Sequence, residues 1–366
     1  MSSVAFNVPI NSVSFGQIST LLLKTLHKKV LAGEELPEVK LFPLGGQVDL
    51  SSQNKDDLFE LWLQKRTSDA LENHTKDDPC FKLWHLHGSM ESFSKEQTLL
   101  SFYELDSPTK AELNVAKNNK TFFTSKYTCD VFRSSGANCG HIPLAFDDFN
   151  FKTIDKDYFE DDRVVFSLVG KMEKRKRHGK ILEAWAKKFG NNKKYALHCA
   201  LYNHFLSPEQ NNSFVHEALG GEQYFNINFL NYMGENEVYN DFLNSSRVVI
   251  GMSGGEGWGL PEFHSTAIGK HAIIMNAHGY KEWANEKNSI LVDPSGKTDS
   301  EDGIFFHKGG NHNQGQIFDF NEDDFISACE EAIKRVEDNP INEEGLKLQK
   351  EFTKEALLNN VLSELS

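Results

Sequence analysis

Short runs of apolar, β-branched and aromatic residues alternate along this chain with longer stretches whose apolar positions recur at helical spacing. The runs predict strands and the stretches predict amphipathic helices. Val4–Val8 reads as a first strand, followed by a loop carrying Gly16 and a helix over Ile18–Val30. Val39–Phe42 is a second strand and Leu58–Leu71 a helix. Phe81–His85 and Thr98–Phe102 read as further strands, and Pro108–Asn118 as a helix with proline in its first turn. Thr121–Thr124 is another strand and Lys126–Ser134 a short helix.

The rhythm restarts after residues 147–163, a stretch crowded with Asp, Phe and Lys. Val164–Val169, Tyr195–Ala200, Phe225–Phe229, Val248–Met252, His271–Met275 and Ile290–Val292 read as strands. Helices are expected over Lys180–Phe189, Glu237–Ser245, Leu260–Ile268, Phe325–Asp338 and Gly345–Leu362. Gly309–Gly315 reads as a loop. A repeated βαβα order predicts an α/β fold with parallel, doubly wound sheets, here in two consecutive units joined near residue 155.

Composition narrows this picture. A chain of 366 residues is about two domains long. Its 39 Lys+Arg against 53 Asp+Glu give a net charge of −14, a poor balance for general binding to phosphate backbones. With 28 phenylalanines it is too aromatic for a disordered chain. The five cysteines have no CxxC spacing, which speaks against a disulfide framework and a zinc site. No signal peptide or membrane-spanning run is visible, so the expectation is a cytoplasmic protein. Lys24, His27, Lys28 and Lys29 would suit the periphery of a membrane, although a solvated helix end explains them more simply.

Three motifs carry chemistry. Ser253-Gly254-Gly255-Glu256-Gly257-Trp258-Gly259-Leu260-Pro261 lies between a strand and a helix. Its glycines permit close backbone approach to a ligand, and the helix start offers free N–H groups to an anion. A second stretch, Lys171 to Lys180, holds six basic residues in ten positions after another strand. Cations there suit a phosphate, because open α/β sheets bind ligands beyond the carboxyl ends of their strands. The third, Asn7-Val8-Pro9-Ile10-Asn11-Ser12-Val13-Ser14-Phe15-Gly16-Gln17, is a polar, glycine-containing loop after the first strand, placed to face the other two across a cleft.

Taken in order, these motifs resemble those of the retaining GT-B glycosyltransferases of the family 4 group (glycosyltransferases group 1). Phe123-Thr124-Ser125-Lys126, Ile142-Pro143-Leu144-Ala145-Phe146-Asp147 and Phe102-Tyr103-Glu104-Leu105-Asp106 extend the resemblance. It implies two Rossmann-like domains facing across a cleft: residues 1–152 on the acceptor side, residues 153–345 on the donor side, and a C-terminal helix in 346–366 packing back on the first. It further implies transfer from a nucleotide-diphosphate sugar, favouring UDP, with retention and without metal or other cofactor.

The resemblance also implies roles. Lys171, Arg175 and Lys176 would hold the donor diphosphate, together with backbone N–H groups of Gly257, Trp258, Gly259 and Leu260. Glu256 matches the first carboxylate of the family's E-x7-E pattern, near the donor sugar. The second falls on His264, which would meet the ribose. A neutral histidine accepts only one hydrogen bond, so a non-catalytic nucleotide-sugar binding module stands as the alternative. His87, in Trp84-His85-Leu86-His87-Gly88, is the first-domain candidate beside the sugar, with a structural histidine equally open. Ser14, Phe15 and Gly16 would line the acceptor side. Asp155-Lys156-Asp157 spells a metal-binding DxD but reads as linker charge. Saccharide, lipid-linked and nucleobase acceptors remain open, the last weakened by the net charge, and oligomeric state is not legible.

Overall fold

In the computed structural model, which describes residues 3–154, 163–203 and 205–365, the apolar runs assemble into two six-stranded sheets. The first lobe contains β1 (Ser3–Ile10), α1 (Ser14–Leu31), β2 (Glu38–Val48), α2 (Asp57–Asn73), β3 (Cys80–Leu83), β4 (Gln97–Ser101), α3 (Lys110–Asn118), β5 (Lys120–Phe123), α4 (Lys126–Ser134) and β6 (Gly140–His141). Its strands are parallel, in the order β2-β1-β3-β4-β5-β6. The winding reverses between β1 and β3, so the loops after these two strands open beside each other.

The second lobe contains β7 (Val164–Gly170), α5 (His178–Phe189), β8 (Tyr195–Leu201), α6 (Pro208–Ala218), β9 (Ile227–Phe229), α7 (Asn236–Ser245), β10 (Val248–Gly251), α8 (Leu260–Ala267), β11 (His271–Met275) and β12 (Ile290–Val292). The parallel order β9-β8-β7-β10-β11-β12 places its switch point between β7 and β10. A hairpin, β13 (Gly296–Asp299) and β14 (Gln316–Asp319), precedes α9 (Glu322–Asp338), α10 (Glu343–Leu346), α11 (Leu348–Glu351) and α12 (Lys354–Ser363).

Local chemistry explains the elements. Strands such as β7 and β10 lie between helix layers and are buried on both faces, hence continuous apolar runs rather than alternation. Thr109 and Glu112 form a reciprocal capping box at the start of α3, and Ser125 caps α4. Pro108 therefore lies before the cap and not inside the first turn. All five cysteines are buried and unpaired.

Two expectations are corrected. Gly16 is not in a loop but in the first turn of α1; a Cβ there would sit 2.3 Å from Asn11 Oδ1, so the tight turn needs glycine. The stretch Gly345–Leu362 is not one helix. The chain leaves α11 at Phe352, whose ring packs on Trp258 and Phe263 and whose carbonyl accepts the Phe146 amide at 2.8 Å, before Thr353 caps α12. Ile142–Asp147 carries no strand; the ladder on β5 stops at His141. The helix α6 and the hairpin were not read from the sequence, because their apolar positions are sparse and the hairpin has few β-branched residues. The Asp155–Asp157 motif lies outside the described residues.

α12 lies against α1 of the first lobe. Thr98 Oγ1 and Lys120 Nζ donate to the Glu364 carbonyl at 3.2 and 2.7 Å, tying the helix end to β4 and β5. Leu357, Leu358 and Val361 are buried. Leu358→Ala is expected to destabilise the protein by about 2–4 kcal/mol with an unchanged denaturant slope. Urea unfolding measures both; a loss below about 1 kcal/mol would mean that α12 is not part of the core.

Candidate functional site

The two switch points face each other, and the sequence motifs occupy them. After β7 the chain runs through Lys171–Arg177, with Gly170 at φ +115° and Arg177 in the left-handed region at φ +58°. After β10 it runs through Met252–Gly259 to the start of α8, where Gly259 is the N-cap at φ +83° and no side chain caps the helix. A Cβ on Gly259 would stand 2.1 Å from the Tyr280 ring, so both backbone and space demand glycine.

The six cations of the basic stretch divide into two groups. Lys174 donates to the Glu301 carbonyl at 2.6 Å, Arg177 to the Phe318 carbonyl at 2.9 Å and to Thr298, and Lys180 pairs with Asp319 at 2.9 Å. These three anchor the β13–β14 hairpin. Arg175 and Lys176 turn toward Glu256 instead, and Lys171 pairs with Glu173 beside them. Lys176 Nζ is 2.5 Å and Arg175 Nη1 3.1 Å from Glu256 Oε1. Arg175 also pairs with Glu173 at 2.6 Å and bonds the Gly255 carbonyl. Lys171 meets Glu173 at 3.4 Å and lies 3.9 Å over the Phe305 ring.

Burial alone would neutralise such groups. Here it is outweighed by pairing: Lys176 and Arg175 hold the Glu256 carboxyl well below the usual carboxylate range, and the carboxylates raise both cations in return. Glu256 is therefore a fixed anion between two fixed cations. The N–H groups at the start of α8 lie just beyond it, and together they can take up phosphate charge.

The first lobe closes on this loop. Thr124 Oγ1 donates to the Gly257 carbonyl at 2.8 Å. A Cβ on Gly257 would come 2.9 Å from Phe102 Cβ, and one on Gly255 would come 2.4 Å from the Glu104 carbonyl oxygen. Further round the cleft, Gln17 and Asn236 exchange amide hydrogen bonds at 3.0 and 3.3 Å. The hairpin reaches the first lobe through Lys297–Asp106 at 2.6 Å and the Asn313 amide on Glu112 at 2.7 Å.

Phe15, in the first turn of α1, is buried and stacks on Phe102 at 4.2 Å, with Trp84 and His85 beside it. Ser14 is exposed on the same turn and Gly16 supports it from Asn11. His85, rather than His87, packs on Phe15, with ring centroids 4.5 Å apart. Its imidazole is lowered to about 4 by desolvation, Lys171 and His87, and is neutral near pH 7. His87 turns outward in the loop after β3 and meets His312 of the hairpin loop at 4.7 Å.

Two other sequence candidates lie apart from the ionic cluster. The Trp258 side chain is a core residue against Phe263 and Phe352, so only its backbone borders the site. His264 is buried one helical turn into α8, stacked on Phe151 at 4.2 Å with Phe146 edge-on. Desolvation lowers its imidazole to about 3. Leu260 is half-buried at the first position of α8. Among the residues not singled out from the sequence are Glu104, Glu173 and Glu262. The acidic residue just after the basic run's first lysine, and a carboxylate in the first turn of α8, were signals that could have found the last two.

Glu262 lies under the glycine loop, its Oε2 without a hydrogen-bond partner. Burial and the Glu256 charge raise its carboxyl to about 7, against the pull of Lys176. No group of three or more His, Cys, Asp or Glu side chains among the described residues forms a metal cluster. Because the folded pKa of Glu262 exceeds its unfolded value, its contribution to stability is complete below about pH 4 and is lost as pH rises toward about 7. Glu262→Gln is expected to flatten that fall in melting temperature between pH 5 and 8; an identical profile in wild type and variant would show that Glu262 does not titrate there.

No protein-family model matches the chain, and no curated protein matches it. Its architecture is shared with solved structures. Sucrose-phosphate synthase from Thermosynechococcus elongatus superposes with a TM-score of 0.66 at 13% identity, covering 100% of this chain and 98% of that one. Anabaena HepE in complex with UDP and glucose gives 0.65 at 14% identity, covering 100% and 99%. An α,α-trehalose-phosphate synthase (UDP-forming) from Burkholderia vietnamiensis gives 0.64 at 10% identity, covering 100% and 98%. Likeness at such identities is likeness of fold: two Rossmann-like domains facing across a cleft, the GT-B architecture of these glycosyltransferases.

Proposed function

We propose that the protein transfers a sugar from a nucleotide-diphosphate sugar to an acceptor hydroxyl, with retention of anomeric configuration and with side-chain cations rather than a metal ion receiving the diphosphate. One observation carries the reading. The switch point of the second sheet brings Arg175 and Lys176 to Glu256 at the uncapped start of α8, with Lys171 next to them on Glu173. The fold's neighbours include HepE in complexes with UDP and with UDP-glucose, which supports UDP as the nucleotide.

In this reading the diphosphate lies on Lys171, Arg175, Lys176 and the N–H groups of Gly257 to Leu260. As the bond from the sugar's anomeric carbon to the phosphate oxygen breaks, charge grows on that oxygen, and preorganised cations and dipoles stabilise it without rearrangement. The acceptor oxygen forms the new bond from the same face, and its proton passes to the departing phosphate. Glu256, held anionic, accepts hydrogen bonds from sugar hydroxyls. The acceptor lies over Ser14–Gly16, where Phe15, Trp84 and Phe102 offer an aromatic wall.

The placement of His264 in an aromatic stack favours one second reading, nucleotide-sugar binding without transfer. A panel of UDP-, GDP- and ADP-sugars separates the two: nucleotide release supports transfer, binding by calorimetry without release supports the module, and neither would overturn both. Lys176→Ala is expected to lower turnover by about 10²-fold or more. It also removes the nearer of two cation partners from buried Glu256, so its melting temperature should fall. Glu256→Gln keeps shape and removes charge; a variant with wild-type turnover would remove Glu256 from the mechanism.

A further inference from the structure

The cations at the lobe boundary already have carboxylate partners before any donor arrives. Lys171, Arg175 and Lys176 face Glu173, Glu256 and Glu104. A nucleotide diphosphate adds at least two negative charges to that set. Unless a carboxylate withdraws, like charges are crowded together in a poorly solvated place.

The three carboxylates are not equally able to withdraw. Glu173 is two residues from Arg175 on the same loop, pairs with both Arg175 and Lys171, and its side chain is 2% exposed. Glu256 is held by Arg175 and Lys176 and its side chain is 8% exposed. Glu104 differs in every respect. It belongs to the other lobe, in the segment after β4. Its single ion pair among the described residues, to Arg175 Nη2 at 3.4 Å, is longer than the 2.6 Å and 3.1 Å pairs that Arg175 makes with Glu173 and Glu256. Its side chain is 31% exposed and so has water to move into. Desolvation and the neighbouring Glu256 and Glu173 raise its carboxyl, against the pull of Arg175 and Lys171, which marks it as the least settled anion of the set.

We propose that Glu104 is a positioning residue that holds the Arg175 guanidinium in place while the donor site is empty and yields it to the donor's diphosphate. Resting on the nucleotide-diphosphate-sugar reading above, it adds that the first lobe competes for the cation the donor needs. Arg175 is then ordered before binding, and occupation of the donor site loosens one of the contacts between the lobes. The Glu104 backbone is seated against Gly255, so the release is felt where the first lobe meets the glycine loop.

Calorimetric titration with UDP, GDP and ADP, each beside its uncharged nucleoside, tests this. Glu104→Gln is expected to bind the nucleoside diphosphate that wild type binds about fivefold more tightly, the worth of a partly exposed ion pair, and the nucleoside equally. Glu104→Ala should move diphosphate binding the same way, so the result does not depend on one variant. The KM for the donor should fall with it. Equal or weaker diphosphate binding in folded variants, judged by melting temperature, overturns the proposal while leaving the donor reading intact. Failure of wild type to bind any of the three diphosphates overturns the donor reading, and this proposal with it.

Discussion

Two cations and a carboxylate buried at the end of β7 and β10 set the terms for the rest of this molecule. Charges removed from water are costly unless each is met by an opposite charge at hydrogen-bonding distance. Arg175 and Lys176 are met by Glu256 and Glu173 at 2.5–3.1 Å. That arrangement requires the loops after β7 and β10 to lie side by side, which only a switch point between those strands provides. It also requires backbone to pass very close to backbone. Glycine at 254, 255 and 257 lets the loop slip between Arg175, Phe318 and the first lobe, where any Cβ would collide.

The first lobe is built to meet that loop. Its own switch point, between β1 and β3, presents Phe15, Trp84 and His85, and the segment after β4 presents Phe102 and Glu104. The lobes meet through polar contacts, Thr124 with Gly257, Gln17 with Asn236 and Asp106 with Lys297, and through one apolar cluster that runs through both. The hairpin adds an apolar element, since Phe306 and Ile317 join the cluster around Tyr103, Phe123 and Phe132 of the first lobe.

Most of the architecture was legible because it rests on local signals. The doubly wound pattern, the positions of β7, β8, β10 and β11, and the helix α4 follow from apolar runs and caps that act within a few residues. What failed was decided at longer range. A helix over Gly345–Leu362 satisfies local propensity, yet Phe352 gains more by docking on Trp258 and Phe263, and the helix breaks there. The hairpin has little strand propensity of its own and is held by Arg177, Lys180 and Lys297.

The sequence alone marks which loops carry chemistry. A run of cations after one strand and a glycine-rich loop with a carboxylate after another are local facts. It did not determine which members of each run face the site. Three of six cations turn to the hairpin, His85 rather than His87 meets Phe15, and His264 packs on Phe151 instead of joining the ionic cluster. These choices depend on what lies opposite each side chain, and the opposing groups come from segments distant in the sequence. Only the tertiary structure could reveal that Glu104, from the other lobe, stands against Arg175. Electrostatic pairing in a dry site acts through space, and spacing along the chain carries no record of it.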